Sequence, residues 1–200
     1  MPCFGPNPAL AQARPLKIVA FGDSLTAGYN LPQSAAFPVV LEAALKAKGY
    51  AVTIGNAGVS GDTTAGGLER LDWSVPAGTD AVILELGAND MLRGMSPERS
   101  EQALDQIITK LKGRGIAVML AGMRAAPNLG SDYQARFDGI FPRLAKKHDL
   151  VLYPFFLDGV AAERELTQSD GLHPTAAGVK LIVERIMPSV EQFIARVRQG

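Results

Sequence analysis

The chain has 200 residues, enough for one domain with a full core, and its 47% hydrophobic and 20% charged residues give a globular composition. Lys plus Arg and Asp plus Glu each number 20, and this zero net charge without a basic cluster argues against a nucleic-acid partner. One cysteine, Cys3, and two histidines, His148 and His173, exclude an internal disulfide and argue against a metal site; no run reaches the roughly 20 apolar residues of a membrane span, so a soluble protein without cofactor or metal is expected.

Residues 1–15 read as a disordered tail or the remnant of a signal peptide. The stretch FGPNPALAQARP contains Ala11-Gln12-Ala13, which has the small-x-small form of a signal-peptidase site, although the basic and apolar regions that precede such a site are missing. A signal would make the protein periplasmic or secreted; without one it would be cytoplasmic.

From residue 16 to residue 200 the pattern is that of a single domain. Residues 16–21, LKIVAF, form a short apolar run ending at Gly22, as a buried strand does. Residues 37–48 read as a helix, with Val40, Ala43, Ala44 and Ala47 on one face and Gly49 as its stop. A second strand covers 52–54, a polar Gly-rich loop 56–64, and a short helix 65–73. The third strand is 81–86. Ser96 and Pro97 open a helix as N-cap and first residue, with Leu104, Ile107, Ile108 and Leu111 on its apolar face. Residues 116–120 form the fourth strand, 131–147 a helix, and 150–153 the fifth strand. A last helical region follows Pro174. It is expected to break or kink at Pro188, with a terminal helix over 189–198.

Strands alternating with helices imply right-handed crossovers and a five-stranded parallel sheet covered on both faces, a three-layer α/β/α sandwich. Ligands bind such sheets outside the carboxyl ends of the strands. The loops after strands one, two, three and five hold the unusual polar residues.

After strand one, Gly22-Asp23-Ser24-Leu25-Thr26 places Ser24 where the chain enters a helix, whose N–H groups favour developing negative charge. Serine is also a common N-cap, so this loop alone does not make Ser24 a nucleophile. After strand two, Gly61 can turn its N–H toward a ligand. After strand three, Asn89 offers an amide for an oxyanion, or a cap. Near the C-terminus, Asp170-Gly171-Leu172-His173-Pro174 sets a carboxylate three residues before an imidazole, which orients a base and stabilises its cation. These groups make a set: Ser24 as nucleophile, His173 as base, Asp170 as its orienting acid, and the Ser24 N–H, Gly61 N–H and Asn89 amide as oxyanion hole. His148, among Lys146, Lys147 and Asp149, reads as a solvated surface residue.

Together the four loops resemble the GDSL or SGNH hydrolases. Gly22-Asp23-Ser24-Leu25, the segment from Gly58 to Asp62, Gly87-Ala88-Asn89-Asp90 and Asp170-Gly171-Leu172-His173-Pro174 match that superfamily's blocks in order. Ser60 to Thr64 and Leu92-Arg93-Gly94 look like its bacterial arylesterase, acyl-CoA thioesterase and lysophospholipase group. The resemblance implies the flavodoxin-like SGNH fold. It also implies a serine esterase acting on carboxylic esters or thioesters: aryl esters, short to medium acyl esters, acyl-CoA or lysophospholipid. Members of that group are commonly periplasmic.

Other readings fit less well. An α/β-hydrolase requires glycine where Thr26 stands. A flavodoxin-like binding or phospho-acceptor module could use Asp23 and Asp90, but it wants a lysine where this chain has Pro154-Phe155-Phe156, and it leaves His173 unexplained. A carbohydrate O-deacetylase would use the same triad. The apolar segments 92–95 and 153–160, with Phe155, Phe156 and Leu157, favour an acyl or aryl pocket instead.

Overall fold

A computed structural model describes residues 14–199. The tail containing Cys3 and Ala11-Gln12-Ala13 lies outside the described residues. Five strands, β1 (Leu16–Gly22), β2 (Val52–Gly58), β3 (Ala81–Glu85), β4 (Ala117–Ala121) and β5 (Val151–Tyr153), form one parallel sheet in the order β2-β1-β3-β4-β5. Every residue of β3 is buried, as expected of a central strand covered on both faces.

The helices are α1 (Ser24–Ala27), α2 (Phe37–Ala47), α3 (Thr64–Ser74), α4 (Ala88–Leu92), α5 (Pro97–Gly113), α6 (Ser131–Asp138), α7 (Ile140–His148) and α8 (Ala176–Gln199). On one side α2 packs against α8; on the other, α5 packs against α3, α6 and α7. Right-handed crossovers account for this, since β1 to β2 runs opposite in direction to the later connections. The result is the three-layer α/β/α sandwich. Among the described residues no helix is long and apolar enough to cross a membrane.

Several boundaries differ from the sequence pattern. β2 continues through Gly58 because it is an edge strand, where polar Asn56 is tolerated; Asn56 pairs with Ala20 and its Oδ1 accepts from the Gly58 N–H at 3.0 Å. The helix expected over 131–147 is two, α6 and α7, divided at Gly139. Pro142 explains the division: its ring conflicts with the carbonyl four residues back, that of Asp138, where α6 ends. By contrast Pro188 neither breaks nor ends its helix. α8 runs through it because Ile182, Val183, Ile186 and Met187 before it and Val190, Phe193 and Ile194 after it are buried in one stripe. Ser96 stands at the N-cap of α5, but its hydroxyl donates to Glu98 Oε2 at 2.6 Å instead of capping a backbone N–H.

Candidate active site

In a sheet of order 2-1-3-4-5 the direction of winding reverses between β1 and β3, and a crevice forms above their carboxyl ends. Ser24 follows β1 and Asn89 follows β3. The N-cap of α1 is Asp23, whose carboxylate accepts from the Leu25 N–H at 2.9 Å. The cap role is therefore filled by the neighbouring residue, and the Ser24 hydroxyl is left for another partner. That partner is His173, with Nε2 2.9 Å from Ser24 Oγ. His173 Nδ1 lies 2.6 Å from Asp170 Oδ2, so a hydrogen-bonded chain runs from carboxylate to imidazole to hydroxyl.

Asp170 is fixed in turn by its own loop, where Oδ1 accepts from the N–H groups of Leu172 at 2.9 Å and His173 at 3.0 Å. Partial burial pushes its carboxyl upward, but the His173 and Leu172 N–H groups and the imidazole outweigh this and hold it down at about 2. The Tyr29 ring lies over the imidazole with centroids 4.5 Å apart. Gln168 ties the same parts together, its side-chain amide donating to the Tyr29 and Pro174 carbonyls at 2.9 Å each.

The loop after β2 brings Gly61 to this site with φ +83°, a left-handed conformation that glycine adopts without strain. Among the described residues neither the Ser24 N–H nor the Gly61 N–H donates to another group. Arg93 holds the loop from outside by donating to the Gly61 carbonyl at 2.9 Å. Arg70 holds it from beneath: buried against the Phe21 ring, it pairs with Asp62 at 2.5 Å and donates to the Gly22 carbonyl at 2.8 Å and the Ala57 carbonyl at 3.0 Å. One guanidinium thus joins the ends of β1 and β2 to the loop that carries Gly61.

Asn89 lies in the first turn of α4, a five-residue helix that the sequence pattern did not reveal. Its Nδ2 donates to Asp23 Oδ2 at 3.1 Å and to the Asp62 carbonyl at 2.9 Å, so both amide hydrogens have partners. Burial pushes the Asp23 carboxyl up to about 6, against the Leu25 N–H and Asn89 amide that favour its charged form. Beneath it, Glu85 is fully buried and accepts from Thr26 Oγ1 at 2.8 Å; burial and the Asp23 charge raise its pKa well above its ordinary value. Asp90 accepts from the Thr64 hydroxyl at 2.6 Å, the Thr64 N–H at 2.9 Å and the Ser100 hydroxyl at 2.9 Å. It joins α3, α4 and α5 and does not face a ligand as a phospho-acceptor would.

A cavity of about 390 Å³ opens on the site, and Ser24, Asn89 and His173 share its wall with Leu92, Phe155 and Leu157. Three expectations are corrected. Phe156 is turned into the core, edge-on to Phe37, and Val160 is fully buried. The loop after β4, absent from the four loops singled out by sequence, lines the cavity from Met123 to Pro127. Its signal was available, since the rule that ligands sit at strand carboxyl ends applies to β4 as well. His148 is not the solvated residue expected: its side chain is only 13% exposed and Nε2 meets Asp105 Oδ1 at 2.6 Å, far from this site in the last turn of α7.

Several known proteins resemble this chain. Residues 20–181 match the model of the GDSL-like Lipase/Acylhydrolase family. The chain is 40% identical to an arylesterase of Vibrio mimicus over 169 residues, 84% of each chain. It is 35% identical over 178 residues to thioesterase 1/protease 1/lysophospholipase L1 of Escherichia coli K12, covering 88% of this chain and 84% of that one. The crystal structure of AlinE4, an SGNH-hydrolase family esterase, superposes with TM-score 0.77 at 47% identity, covering 91% of this chain and 98% of AlinE4.

Proposed function

The chain belongs to the GDSL-like Lipase/Acylhydrolase family, and on that premise we propose that Ser24 carries out its hydrolysis of carboxylic esters and thioesters, with His173 as base and Asp170 as the acid that orients it. The observation that carries this assignment is the unbroken chain Asp170–His173–Ser24 at 2.6 and 2.9 Å. Small-molecule esters are the substrates of the family.

The reaction follows from the geometry. Ser24 Oγ bonds to the acyl carbon as its proton passes to His173 Nε2, and the carbonyl electron pair moves to oxygen. Asp170 stays ionised, fixes the tautomer through Nδ1 and stabilises the imidazolium. The oxyanion is met by the Ser24 and Gly61 N–H groups, with the Asn89 amide as a third donor once it releases one present acceptor. Collapse of this intermediate expels the alcohol or thiol, which takes the proton from His173. Water, deprotonated by His173, then releases the acid from the acyl-enzyme.

The apolar wall formed by Leu92, Met123, Phe155 and Leu157 supports an acyl or aryl group in preference to a sugar acetate. We also infer that residues 16–200 act as one domain. A periplasmic or secreted location is proposed on the Ala11-Gln12-Ala13 triplet, and a mature N-terminus found at Met1 by mass spectrometry would overturn it. The roles are tested by Ser24→Ala and His173→Ala, each expected to abolish turnover of p-nitrophenyl esters while the protein stays folded. Retained turnover in either variant contradicts the assignment.

A further inference from the structure

The cavity beside Ser24 contains one permanent charge among its lining residues, the guanidinium of Arg124. Its position is built by the loop after β4. The Gly122 N–H donates to the Tyr153 carbonyl at 2.7 Å, the Phe156 N–H donates to the Gly122 carbonyl at 2.8 Å, and the Ala125 N–H donates to Asp138 Oδ1 at 2.7 Å. Met123 and Ala125 are turned inward, 2% and 7% exposed, so Arg124 between them is turned outward. Its guanidinium lies 5.2 Å from the centroid of Phe155, another lining residue.

Among the described residues Arg124 has neither a carboxylate within ion-pair distance nor a hydrogen-bond acceptor. Several exposed arginines are matched, Arg136 with Glu98, Arg143 with Glu101 and Arg185 with Asp158; Arg99 and Arg164, like Arg124, have no such partner among the described residues, but only Arg124 lines the cavity. A neutral substrate filling the cavity strips water from the guanidinium and returns nothing to it. A carboxylate or phosphate on the substrate replaces that water with charge-assisted bonds, for which the planar fork of arginine is well suited.

We propose that Arg124 is a specificity-determining residue that binds an anionic group of the substrate, so that the enzyme selects charged esters or thioesters over neutral ones of equal length. This rests on the reading of Ser24 as nucleophile and of the cavity as its substrate pocket. The anion can belong to the acyl part, as the free carboxylate of a dicarboxylic half-ester, or to the leaving group, as a phosphate on the alcohol or thiol.

Two matched substrate pairs separate these sources. Mono-p-nitrophenyl glutarate and p-nitrophenyl valerate differ in a terminal carboxylate on the acyl chain. Butyryl-coenzyme A and S-butyryl-N-acetylcysteamine differ in the phosphates of the leaving group. In one pair, the kcat/KM ratio of anionic to neutral substrate should fall about tenfold or more in Arg124→Leu and in Arg124→Gln. Arg124→Lys should restore part of the ratio, and raising salt from about 0.05 to about 0.5 M should shrink it in the wild type. Ratios that stay within about twofold of wild type in both pairs, for both uncharged variants, overturn the proposal. Failure of the underlying reading looks different: Ser24→Ala would hydrolyse all four compounds as fast as the wild type, and the proposal would fall with it.

Discussion

The amide nitrogen of Asn89 donates to the carboxylate of Asp23 at 3.1 Å, so the proposed third oxyanion donor is tethered to the residue that precedes the proposed nucleophile. Its other hydrogen goes to the Asp62 carbonyl at 2.9 Å. A developing oxyanion must therefore compete with Asp23 for the amide, while the Ser24 and Gly61 N–H groups face no such competition. Asn89→Ala is expected to lower kcat about 100- to 1000-fold. Asp23→Ala frees the amide and should lower kcat by less, while costing about 1 kcal/mol of stability through the lost cap on Leu25. Steady-state kinetics with a p-nitrophenyl ester and urea melts of both variants check this; a greater kcat loss in Asp23→Ala contradicts it.

Asp170 should remain ionised throughout the working range. Its carboxyl is held at about 2 by the His173 and Leu172 N–H groups against the opposing effect of burial. A lowered pKa in the folded state means that its stabilisation is present above the unfolded value of about 3.9 and is lost as pH falls toward the folded value. Carbon-13 titration of the Asp170 carboxyl should give a midpoint near 2, and a midpoint above the unfolded value would contradict the geometry. Asp170→Asn, which disturbs the imidazole tautomer, should lower kcat about 10,000-fold with little change in KM.

Glu85 has the opposite sign. Burial and the Asp23 charge raise its pKa, and its Oε1 has no hydrogen-bond partner. The unfolded chain releases this proton first, so the contribution of Glu85 to stability is greatest below its unfolded value of about 4.3 and declines as pH rises from there. Glu85→Gln keeps an acceptor for Thr26 and carries no charge. Melts between about pH 5 and 8 should show the variant gaining on the wild type as pH rises. A wild type that gains on the variant over that range contradicts this reading.

Much of this is legible in the amino-acid sequence alone. The runs 16–21 and 81–86 announced buried strands because all but one side chain in each, Lys17 and Glu85, is apolar, and Leu104, Ile107, Ile108 and Leu111 announced α5 by their spacing. Ser24, Gly61 and Asn89 stood out because each follows the end of a strand, and Asp170 and His173 because a carboxylate stands three residues before an imidazole in a Gly turn. What escaped notice depends on tertiary context. α4 is too short to show a period and begins at Gly87 with φ +122°. Pro142 divides a helix whereas Pro188 does not, a difference decided by the buried stripe of α8. Arg124 lies among small apolar residues and acquires its place only because Gly122 is bonded to Tyr153 and Phe156.

Arg70 should be the most costly arginine to lose. It and Asp62 expose only 9% and 14% of their side chains, and removing one member of such a pair leaves an uncompensated buried charge. Arg70→Met is expected to destabilise by about 3–5 kcal/mol in urea melts. Arg70→Lys keeps the charge but not the fork that reaches both the Gly22 and Ala57 carbonyls, so it should restore stability only in part. A loss under about 1 kcal/mol in Arg70→Met would show that the pair is solvated.

The central claim is that Ser24 is the nucleophile, activated by the imidazole 2.9 Å from its hydroxyl. Labelling the intact protein with a fluorophosphonate and locating the adduct by peptide mass spectrometry tests it most directly. The account predicts a single adduct on Ser24, with ester hydrolysis lost in proportion to labelling and labelling suppressed in His173→Ala. An adduct on another residue, or full modification of Ser24 with hydrolysis intact, would contradict it.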